Sequence, residues 1–138
     1  MKENLNQRKK ILLVDDDENQ LASVEMFLKE DYDTYKTNSG DEALRYLYNN
    51  EFHPDLIMLD ILMPNMDGWE VFSRIKAIGL LKDVPILFLT SVDGENEKKR
   101  ARELGAVDYI TKPFNVTLLK RTIKEILNVR NIYELSPV

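Results

Sequence analysis

Five side chains in this sequence have the types and the placement to do chemistry together. They are the adjacent carboxylates of Asp15 and Asp16, the carboxylate of Asp60, the hydroxyl of Thr90 and the ammonium of Lys112, the last followed by Pro113. Each stands at or just past the end of a short apolar run: Ile11–Val14, Leu56–Leu59, Ile86–Leu89 and Val107–Ile110. If the runs brought these ends together, the carboxylates would repel. At about 5 Å and an effective dielectric of about 20, each pair costs roughly 3 kcal/mol, so three pairs cost on the order of 10 kcal/mol before screening. One ammonium cannot offset that and also receive an incoming anion. A dication can. The set has the chemistry of a site for a metal ion and a phosphoryl group.

Such a site needs elements that converge on one edge. Short apolar runs separated by longer helix-like stretches read as buried parallel strands joined by helical crossovers. The first strand is expected at about Lys10–Val14, and a first helix from about Glu18 to Lys29, capped by Asp17 and striped by Leu21, Val24, Phe27 and Leu28. The run 32–37 alternates polar and aromatic residues and carries charge, as an edge strand does. Ser39 with Glu42 three residues on is a capping-box pattern opening a second helix that buries Ala43, Leu44 and Leu47. After the break at His53-Pro54 and the third strand, 63–68 is a loop, and a third helix turns Trp69, Phe72, Ile75 and Ile78 inward. The fourth strand, Ile86–Leu89, leads through a loop at 91–94 to a helix over about 95–104, which Gly105 stops. The fifth strand reaches Ile110 or Thr111, and a last helix runs from about Asn115 to Leu127 or slightly beyond. Right-handed crossovers with helices on both faces make a doubly wound α/β sheet of five parallel strands the simplest packing. Ligands in such sheets gather at the carboxyl ends of the strands, near the switch in strand order.

The 138 residues suit one domain, expected over 9–128, with a flexible leader at 1–8 and a tail at 129–138 that reads as a helix extension or a truncated linker. A net charge of −5 gives no electrostatic footprint for nucleic acid. With no cysteine there are neither disulfides nor thiolate metal sites. The polar first ten residues contain no apolar signal-peptide core, and no apolar stretch reaches bilayer length, so a cytoplasmic location without membrane contact is expected.

Four stretches together resemble the receiver domain of bacterial two-component response regulators, the CheY-like superfamily. They are Val14–Asp17, Leu59–Gly68, Leu89–Ser91 and Gly105–Phe114, and the resemblance extends over roughly Lys9 to Leu127. It implies a flavodoxin-like (βα)5 fold with strand order 2-1-3-4-5. It also implies that Asp60 accepts a phosphoryl group from a histidine of a sensor kinase or of a histidine phosphotransfer protein. Asp16 would bind Mg²⁺ (or Mn²⁺) directly and Asp15 largely through water, with Asp60 and the main-chain carbonyl of Leu62 completing the protein's share. Lys112 and Thr90 would hold phosphoryl oxygens, and Pro113 would follow a cis bond that aims the lysine. Thr90 and Tyr109 would switch the face formed by helix four, strand five and helix five, which docks a partner or a second receiver in a homodimer. Leu62 and Ser91 flank the phosphoacceptor and would set the dephosphorylation rate. The chain would then be a switch that assists its own phosphorylation and dephosphorylation, not a turnover enzyme.

Other readings meet specific objections. A phosphatase of the haloacid dehalogenase type needs an acid two residues after its nucleophile, and Leu62 stands there. A phosphorylation-independent receiver-like module typically lacks one of the acidic, threonine or lysine positions, and all are present. An Asp-Asp-Asp turn after strand one would repel a nucleotide's phosphates. Singly, each residue has an ordinary use: aspartates cap helices, Tyr109 and Trp69 pack, His53 sits in a connection, and Lys98, Lys99, Arg100 and Arg102 make a solvated helix face.

Overall fold

The computed structural model describes residues 8–49 and 52–135, with the backbone alone for 129–135. In chain order its elements are β1 (Lys10–Val14), α1 (Glu18–Leu28), β2 (Asp33–Thr37), α2 (Gly40–Tyr48), β3 (Leu56–Leu59) and α3 (Gly68–Lys76). A 3₁₀ turn (Gly79–Leu81), β4 (Ile86–Thr90), α4 (Glu95–Leu104), β5 (Asp108–Thr111) and α5 (Val116–Leu135) follow. The strands pair in parallel in the order β2-β1-β3-β4-β5. The order reverses beside β1, where the chain leaves β2 on one side and β3 on the other.

Side chains alternate across a strand, so the apolar runs supply two faces at once. Leu12, Val14, Ile57, Leu59, Ile86 and Phe88 pack with α2 and α3 on one side. Ile11, Leu13, Leu56, Met58, Leu87 and Leu89 pack with α1 and α5 on the other. The caps form as expected. Asp17 accepts from the N–H groups of Asn19 and Gln20. Ser39 accepts from the Glu42 N–H at 3.0 Å, while Glu42 reaches back to the Asn38 N–H at 2.7 Å. Gly105 closes α4 at φ 103°, a left-handed conformation that favours glycine.

Four details depart from the sequence expectation. β2 begins at Asp33, because Tyr32 still bonds back to the Leu28 carbonyl at the end of α1. Ile78 lies beyond α3, which ends at Lys76. α5 continues past the expected end near Leu127 to Leu135, so the backbone of 129–135 is the helix extension that the sequence allows beside a severed linker, there being no glycine or proline to stop it. Of the expected leader, residues 1–7 lie outside the described residues. Arg8 is tied down: it donates to the carbonyls of Lys29 and Tyr32, the latter at 3.0 Å, and its Nε lies 3.6 Å from Asp33.

Candidate functional site at the carboxyl edge of the sheet

The strand ladder continues past the strand ends and fixes the chemical residues. The Asp15 N–H donates to the Thr37 carbonyl at 3.1 Å, the Asp60 N–H to the Val14 carbonyl at 2.9 Å, and the Lys112 N–H to the Thr90 carbonyl at 2.8 Å. Val14 is in register with Leu59, Leu59 with Phe88, and Thr90 with Thr111. The residues just after these strands therefore share one edge. The structure brings together Asp15, Asp16, Asp60, Leu62, Ser91 and Lys112 around one open cleft, with Pro113 at its rim. The Lys112–Pro113 peptide is cis.

Asp15 and Asp60 are buried, whereas Asp16 is exposed at the mouth. Each buried carboxylate spends one oxygen on nearby backbone. Asp15 Oδ1 accepts from the Asp17 N–H at 2.9 Å, and Asp60 Oδ1 from the Ile61 N–H at 2.8 Å. The other oxygens face Lys112, whose Nζ lies 2.6 Å from Asp15 Oδ2 and 3.8 Å from Asp60 Oδ2. Asp15 is thus both a turn-former and a charged site residue. Burial raises the Asp60 carboxyl above the ordinary carboxylate range. The Thr90 hydrogen bond and the Lys112 charge oppose that rise, the Asp15 charge adds to it, and the Ile61 N–H opposes it.

One oxygen from each of Asp15, Asp16 and Asp60 lies within 4.8 Å of the others. Hard carboxylate oxygens at an open mouth suit a small dication that keeps several waters, so this donor set fits Mg²⁺.

Gly68 makes the arrangement compact. A Cβ there would meet the Asp60 carbonyl oxygen at 2.2 Å and the Ile61 Cα at 2.7 Å, and its own N–H donates to the Ile61 carbonyl at 2.8 Å. The sequence marks Gly68 only as a turn residue; the close approach to the strand end is a tertiary fact. Thr90 is fully buried and accepts from the Val92 N–H at 3.2 Å. The Tyr109 hydroxyl donates to the Val92 carbonyl at 2.6 Å. Val92 therefore links Thr90 to Tyr109, through its N–H on one side and its carbonyl on the other, and backbone groups carry no sequence signal. The basic face of α4 is not wholly solvated as expected. Arg100 stacks on Trp69 at 4.1 Å, and Lys98 lies 3.4 Å from Asp93.

Comparison with known proteins points the same way. Residues 11–124 match the family model described as the response regulator receiver domain. The alkaline phosphatase synthesis transcriptional regulatory protein PhoP of Bacillus subtilis is 40% identical over 120 residues, covering 86% of this chain and 48% of that protein. This chain thus spans about half the length of that curated relative. The chemotaxis protein CheY4 of Vibrio cholerae superposes with a TM-score of 0.80 at 30% identity, over 88% of this chain and all (100%) of that one. A CheY-like receiver domain protein of Methanospirillum hungatei superposes with a TM-score of 0.82 at 30% identity, over 92% of this chain and 99% of its own.

Proposed function

The chain belongs to the response regulator receiver domain family, and from that premise we propose that Asp60 is its phosphoacceptor. The observation that carries the assignment is the buried Asp60 carboxylate, with one oxygen held by the Ile61 N–H and the other open to the cleft beside Lys112. In the step, Asp60 Oδ2 forms a bond to phosphorus as the bond to the donor's imidazole nitrogen breaks, and that nitrogen leaves with the electron pair and takes up a proton. The donor is a sensor histidine kinase or a histidine phosphotransfer protein. Bound Mg²⁺, or Mn²⁺ in its place, supplies charge neutralisation for the incoming phosphoryl oxygens.

Within this reading Asp16 holds the metal directly, Asp15 through water, and Asp60 and the Leu62 carbonyl complete the protein ligands. Lys112, aimed by Pro113, moves from Asp15 to a phosphoryl oxygen, and Thr90 donates its hydroxyl to another. Tyr109 follows Thr90 through the Val92 peptide. The receiver unit is 9–128. No described helix is long and apolar enough to cross a membrane.

The test is acetyl phosphate or beryllofluoride with and without Mg²⁺. Wild type is expected to be modified only with the metal, Asp60→Asn not at all, and Asp16→Ala to lose metal binding read from Trp69 fluorescence. Equal incorporation into Asp60→Asn would place the nucleophile elsewhere.

A further inference from the structure

Helix α4 buries little apolar surface: of its 10 residues, all described, Ala101 alone is fully buried. Something else must hold it against the sheet. The guanidinium of Arg100 lies 4.1 Å from the ring centroid of Trp69, in the first turn of α3. Trp69 packs on Phe88 of β4 with centroids 5.1 Å apart, and Phe88 meets Tyr109 of β5 at 5.9 Å. The Tyr109 hydroxyl holds the Val92 carbonyl, and the Val92 N–H holds the Thr90 hydroxyl. Val92 lies three residues before Glu95, where α4 opens, so the placement of the helix start bears on Val92 through a short loop.

We propose that Arg100 is a positioning residue for phosphoryl binding: its stack on Trp69 holds α4, and with it the Val92 peptide, where the Thr90 hydroxyl is presented to Asp60. The inference rests on Asp60 as phosphoacceptor. Arg100 touches neither the metal ligands nor the phosphoryl site, so it acts only through Trp69 and the α4 entry loop. The stack is a cation–π contact, which a lysine reproduces in part because it keeps the charge without the planar guanidinium. By linkage, a contact that favours the phosphoryl-binding arrangement shows up as phosphoryl affinity, whereas the metal-site carboxylates of Asp15 and Asp60 are held by the Asp17 and Ile61 N–H groups and not by α4.

The experiment titrates wild type, Arg100→Ala, Arg100→Lys, Trp69→Phe and Arg100→Ala/Trp69→Phe with beryllofluoride at saturating Mg²⁺, by isothermal calorimetry. Each is titrated separately with Mg²⁺ alone. Arg100→Ala is expected to weaken beryllofluoride binding roughly two- to fivefold, the size to which an exposed cation–π contact converts, with Mg²⁺ affinity unchanged. Arg100→Lys falls between, and the double variant loses less than the sum of the two single losses, because both weaken the same contact. Unchanged or tighter beryllofluoride binding in Arg100→Ala overturns the proposal, and so does an equal loss for both ligands or additive single losses. A wild type that takes up no beryllofluoride overturns the reading of Asp60 and this inference with it. A wild type that binds, matched by Arg100→Ala, overturns the inference alone.

Discussion

At the scale of single residues, the cleft works by dividing each group's bonding between backbone and ligand. Asp15 and Asp60 each give one oxygen to an N–H and keep the other for Lys112, so the lysine occupies the position a cation must share. Leu62 has no such divided role. It is 59% exposed on the cleft wall and offers no side-chain hydrogen bond. Hydrolysis of a phosphorylated Asp60 needs a water in line with the new bond; both Leu62 and Ser91 line the cleft, and the expectation is that Leu62 covers that approach with apolar surface while the small Ser91 leaves the donor's side open. Slow self-dephosphorylation is therefore expected. Leu62→Asn or Leu62→Glu should speed decay of the phosphorylated protein in Mg²⁺ by on the order of tenfold, by orienting the water; if neither does, Leu62 has no hold on the lifetime. Tyr109 provides a second prediction. Burial first, then the charges of Glu97, Asp93 and Asp60, push its hydroxyl up to about 12. A folded-state value above the unfolded one of about 10 stabilises the fold fully below pH ~10, and that contribution is lost as pH rises through about 12. The tyrosinate absorbance difference between wild type and Tyr109→Phe should stay flat through the ordinary tyrosine range and step only near the higher value. An ordinary-range step would mean that the hydroxyl is not buried beside those carboxylates in solution.

At the scale of elements, the start of α3 is pressed onto the end of β3, and Gly68 is the residue that permits it. Gly68→Ala would drive a methyl into the Asp60 carbonyl, and it should destabilise the fold by about 1–3 kcal/mol or more and weaken Mg²⁺ binding as the Asp60–Ile61 segment shifts. Gly79→Ala is the matched control, since a Cβ there meets nothing within 4 Å; its melting temperature should stay near wild type. Equal melting temperatures for the two variants would mean that α3 can back away from β3 at little cost. The same element shows what the sequence could and could not reveal. Pro64 and Gly68 announce a turn or a helix's first turn by their own chemistry, and the structure adds that Asp67 caps α3 by accepting from the Glu70 N–H at 3.0 Å. The central strands were legible because both their faces are buried, β2 because it is an alternating edge, and the end of α4 because only glycine takes φ 103° easily. The five carboxylate, hydroxyl and ammonium positions were legible because each stands at or just past the end of an apolar run. The Arg100–Trp69 stack was not, because it joins residues far apart in sequence that each have an ordinary local use. Nor was the Val92 bridge, since a peptide group is the same in every residue. The length of α5 escaped for a third reason: residues 128–135 contain neither a stop signal nor a local pattern that distinguishes helix from linker.

At the scale of the whole molecule, the sheet separates two unlike halves. The α1–α5 side is an aliphatic core of leucine, isoleucine, valine and methionine side chains, while the opposite side carries the contacts that run from Phe72 and Trp69 through Phe88 to Tyr109. If Asp60 is the phosphoacceptor, its phosphorylation would act on α4 and β5 through the second side and leave the packing beneath α1 in place. Among the described residues the α4–β5–α5 face carries few apolar side chains: Leu104 at the end of α4, Val107 before β5 and Leu118 in α5 are 45%, 43% and 41% exposed. Stable interfaces bury roughly 1,200–2,000 Å² in total, and three half-exposed side chains supply only a fraction of that. A homodimer through this face should accordingly be weak on its own and governed by the switch. The chain is expected to sediment as a monomer at micromolar concentration and to shift towards dimer when beryllofluoride and Mg²⁺ are added. Leu118→Asp places a charge in the contact and should abolish the shift while leaving beryllofluoride affinity at the wild-type level, since Leu118 lies on the exposed side of α5 and Leu119, its neighbour, does the packing. A dimer that survives Leu118→Asp would put the interface on another surface. A dimer equally strong without beryllofluoride would detach it from the site altogether, leaving the α4–β5 movement to act on a partner of a different kind.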